Sequence, residues 1–460
     1  MFHSLIELYM FVSLVLLIFM CYSPVKTKLN KRYLNAATIQ RPVNAYFDVP
    51  CGQCEQCREQ RVHSWTFRLL QHANEVLRLG GFIIFDTFTY RSDSVPSVSS
   101  VLKRLGYSCP SNVGEILCNN KYDVQCFLKR LRSKLPKSVI ISYFLVSEYG
   151  DNDQFTHRPH YHALIFVVGF SGTPADFSRL LASCWGLGRT DGVSSRGLKS
   201  FLSQRCFTSK TTHLNNIILY IAKYLHKDYN YHNKVIRPLV QWLAPVLAKS
   251  SFDKYSASLI RRKLVGNIEN FLLVSKGLGS CYCTECNSLL HVYELNVVYS
   301  DSYGHRYKVA LPRYYVRKWY YTPYRDSFIL NSLGLLRERE VQRSTLVSLR
   351  DEFRTLLGLP FADASRLAEI YYFQFNNLHN PNGFNNEVYN NALLRCYSSC
   401  FVSGTSPNDV IGLDDFITTF SDNKNISSCD MDLIKQFLNL KYNLNYEKQN
   451  TKLHARLCKR

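Results

Sequence analysis

Two histidines flank one residue in Arg158-Pro159-His160-Tyr161-His162, at the head of the apolar run Ala163 to Val168. The run reads as a strand, and on a strand residues i and i+2 share a face. Both imidazoles therefore point the same way and can hold one metal ion. Further on, Tyr220-Ile221-Ala222-Lys223-Tyr224 reads as a helix, where residues i and i+4 share a face. A metal-binding strand and a paired-tyrosine helix suggest one reaction, the metal-assisted attack of a phenol on a phosphodiester.

A third ligand is needed, and Glu148 in Ser147-Glu148-Tyr149-Gly150 is the best candidate. It ends the apolar stretch Ile140 to Tyr149, and the polar segment Gly150 to Pro159 then turns the chain back as a hairpin. Its carboxylate would stand beside both histidines. Two imidazoles and one carboxylate suit Mn²⁺ or Mg²⁺ with positions left open for phosphate, and Zn²⁺ is not excluded by them. The plain alternative for an isolated His-x-His is a half-buried strand with no metal. His157 reads as a loop residue rather than a ligand.

A phenol is a weak nucleophile at its usual pKa near 10, and a polarised phosphate offsets this. Attack leaves a 5′-phosphotyrosine and a free 3′-hydroxyl, so the strand can later be rejoined. Two tyrosines one turn apart permit two successive attacks. Lys223 and Lys227 would steady phosphate or leaving-group charge. Without the histidines, Tyr220 and Tyr224 would read equally well as core residues of an amphipathic helix.

The chain that must position these groups has 460 residues, enough for two or three domains. Its formal charge of +21, from 56 Lys and Arg against 35 Asp and Glu, favours a polyanionic partner, nucleic acid first. Its 31 Tyr and 28 Phe offer rings on which unpaired bases stack. Sixteen cysteines in so long a chain argue for reduced thiols or metal sites rather than a secreted disulfide scaffold. Cys51, Cys54 and Cys57 have the spacing of a structural zinc site, and Cys21 would be a fourth ligand. Cys281, Cys283 and Cys286, with His291, make a weaker cluster.

Leu8 to Met20 is nearly all apolar, yet shorter than a membrane helix needs, and only His3 and Glu7 precede it as polar landmarks. The expectation is that residues 1–19 are not part of the native protein and that translation starts at Met20, with a membrane anchor as the other reading.

The elements follow from periodicity. Glu59 to Leu79 reads as a helix, with Trp65, Leu69, Ala73 and Val76 on one face and Arg58, Arg61 and Arg68 supplying charge. Gly80-Gly81 ends it. Phe82 to Tyr90 reads as a strand, and residues 91–120 as a Ser-rich loop region. Tyr122 to Leu135 is an amphipathic helix carrying Lys129, Arg130 and Arg132 on its charged side, and Pro136 stops it. Asn216 to His226 is the tyrosine helix. Helices mixed with hairpin strands indicate an α+β fold with a central antiparallel sheet. The expected organisation is a basic Cys-containing segment at 20–57, a nicking and joining domain at 58–230, and a mainly helical accessory region at 231–460. Candidate DNA contacts are Arg58, Arg61, Lys129, Arg130, Arg132 and Lys227.

The motifs occur together in a recognisable order. They are Val49-Pro50-Cys51-Gly52-x-Cys54-x-x-Cys57-Arg58, Phe85-Asp86-Thr87-Phe88-Thr89-Tyr90 and Gln125-x-Phe127-Leu128-Lys129-Arg130-Leu131-Arg132, followed by the Glu148, His-x-His and tyrosine motifs. Ser275-Lys276-Gly277-Leu278-Gly279 and Pro312-Arg313-Tyr314-Tyr315 follow later. This set resembles the replication initiators of the gokushovirus-like Microviridae, small single-stranded DNA phages, within the HUH endonucleases. The resemblance spans about residues 20–320 and leaves the C-terminal remainder unmatched. It implies an RRM-like sheet with the FDTFTY strand beside the histidine strand, nicking at a plus-strand origin, rolling-circle replication and strand joining. It also implies a start near Met20, a host bacterial cytoplasm, and host helicase and polymerase as partners. One departure is His157, where the family often has Gly, and no loss of activity is expected from it. The competing readings are an HUH transposase or plasmid relaxase, and a non-catalytic zinc-containing DNA-binding regulator.

Overall fold

The computed structural model of the chain describes residues 25–28, 33–34, 46–49, 52, 54–150, 157–190, 205–208, 213–225, 231–248, 254–324, 327–371, and 429–430, 432–434, 436–437 and 440. Met20, Cys21, Cys51, Lys227 and the first nineteen residues lie outside them. Two units are distinguished. One comprises Arg61–Tyr282 with Val298–Tyr307, and the other Met1–Gln60, Cys283–Val297 and Lys308–Arg460.

Near the N-terminus, strands β1 (Val25–Lys28) and β3 (Tyr46–Val49) pair antiparallel, with the short β2 (Tyr33–Leu34) between them in sequence. Helix α1 (Glu55–Arg78) then buries Leu69, Ala73 and Val76, the stripe set by helical spacing. Gly80 closes it at φ +72°, a conformation open to glycine at little cost.

The first unit is built on one sheet. Its strands are β4 (Phe82–Tyr90), β5 (Ile140–Tyr149), β6 (Pro159–Val168), β7 (Gly188–Thr190), β8 (Cys206–Phe207) and β9 (Leu272–Val274). They run in the order β7-β4-β6-β5-β9, with β8 also on β4, and every described pairing is antiparallel. The central strand β6 is buried on both faces, which is why Ala163 to Val167 is uniformly apolar rather than alternating. The sheet is α+β in character, as the mixed periodicities predict.

Helices cover both faces. On one, α3 (Lys121–Lys134) and α4 (Pro174–Trp185) pack Val124, Phe127, Leu131, Phe177, Leu181 and Trp185 against Phe88, Tyr161 and Ile165. On the other, α1 sets Trp65 against Phe144 and His72 against Phe166, with ring centroids 5.1 and 4.7 Å apart. Between β4 and α3 the chain forms α2 (Val98–Arg104) instead of a loop throughout. Ser97 and Ser100 cap one another's backbone N–H groups at its start, so the serines that suggest a loop begin a helix.

After β8 come α5 (Leu214–Lys223), a π-helical turn at His232–Ile236 running into α6 (Arg237–Leu247), and α7 (Lys254–Ile268). Helices α2, α6 and α7 share a second core with Val101, Leu102, Val240, Leu243, Leu264 and Ile268, joined by Tyr149 from the sheet.

The remaining elements are α8 (Glu285–Tyr293), β10 (Asn296–Ser300), β11 (Arg306–Ala310), α9 (Arg313–Tyr320), β12 (Tyr321–Tyr324), β13 (Ser327–Leu330), α10 (Ser332–Leu357) and α11 (Phe361–Ile370). In the second unit the Tyr320 hydroxyl donates to the Ser288 carbonyl, tying α9 to α8. The buried Arg337 guanidinium on α10 donates to the His291 carbonyl. Phe353 stacks on Phe437 at 4.0 Å, anchoring a further cluster. Among the described residues no helix is long and apolar enough to cross a membrane.

Candidate active site

The hairpin β5–β6 sets the register on which the site depends. Glu148 lies directly opposite His160, and Val146 opposite His162. With alternating side chains, Glu148, His160 and His162 then share one face of the sheet. One oxygen, Glu148 Oε2, lies 3.1 Å from His160 Nε2 and 2.8 Å from His162 Nε2. Ligand atoms of the three residues all fall within 4.8 Å of one another. Glu148 is 2% exposed and His162 6%, while His160 is half-buried.

The opposite nitrogens are also engaged. His162 Nδ1 is 3.2 Å from Thr87 Oγ1 on the neighbouring strand, and His160 Nδ1 donates to the Arg158 carbonyl at 3.3 Å. With Nδ1 held by an oxygen, the Nε2 lone pair of each ring is left for a ligand role, the outer-shell arrangement that orients metal-binding histidines. A buried carboxylate between two such nitrogens fits a divalent cation by its donor chemistry. When bound, the ion supplies Lewis acidity toward a phosphate oxygen. His157 stands apart, with its ring stacked on Tyr231 at 4.3 Å and Nδ1 donating to the Gly150 carbonyl.

The tyrosine helix α5 buries Leu214, Ile218, Ile221 and Ala222, which leaves the tyrosine face turned to the ligands. It ends at Lys223, so Tyr224 is its C-cap rather than an interior residue, three positions short of the expected His226. The Tyr224 ring stacks on His162 with centroids 4.2 Å apart and planes at 24°. Tyr220 meets Phe85 edge-on at 5.8 Å and is 46% exposed. The two phenolic hydroxyls are hydrogen-bonded to each other. Burial raises the Tyr224 phenol well above its ordinary value, and the hydrogen bond to Tyr220 and the nearby Glu148 charge add to this. Lys223 is exposed beside Tyr224.

One residue of this neighbourhood escaped sequence reasoning. Arg205, next to β8, donates from Nη1 to Thr87 Oγ1 at 3.3 Å and lies over the Phe85 ring at 5.3 Å. Its charge acts on Tyr224 in the direction opposite to burial, favouring the phenolate. No spacing rule links Arg205 to Tyr224. The signal is tertiary, made by β8 pairing with β4 at Ile83 and Ile84.

The other expected groups are dispersed. Arg58 and Arg61 sit on α1, and Lys129 is exposed on α3. Arg130 donates to the carbonyls of Cys184 and Trp185 at 2.7 and 3.2 Å, closing the end of α4, and Arg132 lies over the Tyr143 ring at 5.5 Å. Among the described residues, Glu148, His160 and His162 form the one group with metal-ligand geometry. Cys54 and Cys57, and likewise Cys281, Cys283 and Cys286, bring no such group together within them. Cys21, Cys51 and Lys227 lie outside.

Residues 84–229 match the family model of the replication-associated protein ORF2. The chain carries a replication-associated domain of this family. All three candidate ligands, Thr87, Arg205 and both tyrosines fall within the matched residues. In the replication-associated domain the ligands thus come from a hairpin and the phenols from a helix laid across it, while α6 and α7 follow beyond its end. Searches of curated proteins and of solved structures gave no match.

Proposed function

We propose that the chain is the initiator endonuclease of rolling-circle replication in a small single-stranded DNA phage, cutting one strand at the plus-strand origin through Tyr220 or Tyr224. The observation that carries this reading is Tyr224 stacked on His162, whose Nε2 shares the Glu148 carboxylate with His160. A nucleophile is thereby held against the group that would bind the cation.

In this reading Glu148, His160 and His162 hold Mg²⁺ or Mn²⁺. Tyr224 or Tyr220 supplies the attacking phenolic oxygen, which forms a new bond to phosphorus while the bond to the 3′-oxygen breaks. The phenolic proton leaves through the Tyr220–Tyr224 hydrogen bond toward solvent at the exposed Tyr220. The departing 3′-oxygen takes a proton and becomes a hydroxyl. Lys223 and Arg205 balance charge developing on the phosphate. The 5′-phosphotyrosine keeps the bond energy, so attack by a 3′-hydroxyl rejoins the strand. The second tyrosine allows a new cut while the first stays joined. Origin DNA is the substrate, with host helicase and polymerase as partners.

The test is a covalent-adduct assay. Protein starting at Met20 is mixed with the circular DNA that encodes it, with Mn²⁺ or with EDTA, beside Tyr220→Phe, Tyr224→Phe, the double variant and His162→Ala. A metal-dependent protein–5′-DNA adduct, absent in the double variant and in His162→Ala, is expected. Tight DNA binding with no nick and no adduct under any metal would overturn the reading in favour of a regulator.

A further inference from the structure

Beyond the ligands, the same unit bears a second cationic surface with exposed rings. Lys103 and Arg104 end α2, Tyr122 opens α3, and Lys263 and Asn267 lie on α7. The Arg104 guanidinium covers the Tyr122 ring at 4.8 Å, and Lys263 Nζ stands 5.9 Å from the Tyr107 ring. Arg104 also donates to Asn267 Oδ1 at 3.1 Å and to Asn120 Oδ1, which joins the three helices into one stripe. Tyr122 is 48% exposed, and Lys103 and Lys263 are exposed. The ion pairs of the described residues include none of Lys103, Arg104 or Lys263. Asp123, the carboxylate beside Arg104, is engaged by the Tyr90 hydroxyl and the Asn120 amide.

This stripe is fastened to the back of the ligand-bearing strands. Tyr149 follows Glu148 and Tyr161 separates the two histidines, so both tyrosines point to the face opposite the ligands. The Tyr149 hydroxyl accepts from the Asn119 N–H and donates to the Ile268 carbonyl, each at 2.8 Å. The Tyr161 hydroxyl accepts from the Asn120 N–H at 3.0 Å. Asn120 in turn caps the helix that begins beside Tyr122. A strand passing the ligands has only to round the end of the sheet to meet the stripe.

Cations without carboxylate partners attract a phosphate backbone, and exposed rings between them stack on bases that are not paired. A duplex hides its base faces, and an acidic peptide has no use for the rings. Lys263 and Asn267 lie outside the residues matched to the replication-associated family. We propose that Lys103, Arg104, Tyr107, Tyr122 and Lys263 form a track for single-stranded DNA on the far side of the sheet from the nicking site. The track rests on the nicking reading above for its substrate.

The test is fluorescence anisotropy in EDTA with labelled oligo-dT of about 10 and about 30 nucleotides, lengths chosen to fall within and beyond a single small binding site. The variants are Tyr122→Ala/Lys263→Ala, Lys263→Ala alone, and Lys263→Arg. The double variant should lose roughly tenfold in affinity for the long oligonucleotide and little for the short one. The salt dependence should flatten by about one unit of slope for the lysine removed, and Lys263→Arg should keep it. The single Lys263→Ala variant carries the same slope test should the double variant fold poorly. Unchanged affinity and slope, equal losses at both lengths, or a duplex competing as well as the single strand would each overturn the track. Adduct formation, read separately at saturating circular DNA, distinguishes the two readings. An adduct without a length effect sinks the track alone, and a length effect without an adduct sinks the nicking chemistry and leaves a strand-binding surface.

Discussion

Tyr224 lies nearly flat on His162, with ring centroids 4.2 Å apart, while the far nitrogen of His162 is held by Thr87. The stacking links the position of the phenol to the orientation of the imidazole. A change at Thr87 should therefore reach both.

Thr87→Val removes the oxygen opposite His162 Nδ1 while keeping the shape of the side chain. Metal affinity should fall roughly 10- to 100-fold, the usual consequence of losing an outer-shell partner. Titration calorimetry with Mn²⁺ measures it directly. An unchanged affinity would mean that Thr87 does not orient the ring.

A cation bound to the folded state alone should also stabilise it. At a hundredfold excess over its Kd the gain is about 2.7 kcal/mol, or a rise in melting temperature of roughly 5–10 °C for a unit of this size. Glu148→Gln should abolish the Mn²⁺-dependent rise in a thermal melt. A rise that survives the substitution would place the cation elsewhere.

Arg205 opposes the burial that keeps the Tyr224 phenol protonated. Removing it raises the phenol further, so the alkaline limb of the pH–rate profile for adduct formation should move to higher pH in Arg205→Ala. The rate near neutrality should fall on the order of 100-fold, comparable to deleting one preorganised charge partner. Arg205→Lys should recover part of both effects. A lower rate with an unshifted profile would limit Arg205 to holding Thr87.

Burial holds His72 down at about 4, aided by Arg68 and opposed by Glu75. Its ordinary value is 6.5. Above that value the residue is neutral whether the chain is folded or not. As pH falls from 6.5 toward 4, the unfolded chain takes up a proton that the folded one refuses, so stability is lost across that window. The loss amounts to about 3 kcal/mol. His72→Gln, which can still meet the Ser142 hydroxyl, should flatten the decline when denaturant midpoints are compared at several pH values.

Phe127 is 1% exposed between Phe88 of β4 and Trp185 of α4. Phe127→Ala should cost about 4 kcal/mol through lost burial and the cavity left behind. Urea unfolding measures it, and a cost below about 1 kcal/mol would mean that α3 is not held by this contact.

The strands were the most legible part of the sequence, since Phe82–Tyr90 and Ile140–Tyr149 are set off by flanking turn residues and hold β-formers throughout. The ligand trio was legible too, because period-two alternation and a hairpin suffice to bring Glu148 opposite His160. Helix α2 was not, because its serines read as loop formers until their mutual capping is seen. The stop of α5 at Lys223 was missed because no Gly or Pro marks it. Arg205 and the carbonyl-capping role of Arg130 were out of reach, since each depends on a partner distant in the chain. Composition shows how many cations there are, and only folding shows which are already spoken for.

The pairing of β5 with β6 has a consequence for when the protein becomes dangerous to DNA. A slip of one residue would set Tyr149 against His160 and turn Glu148 to the wrong side of the sheet. The ligand trio therefore exists in a single alignment of the hairpin. A nascent or half-folded chain has no cutting centre, and the capacity to break a strand arrives only with the completed sheet.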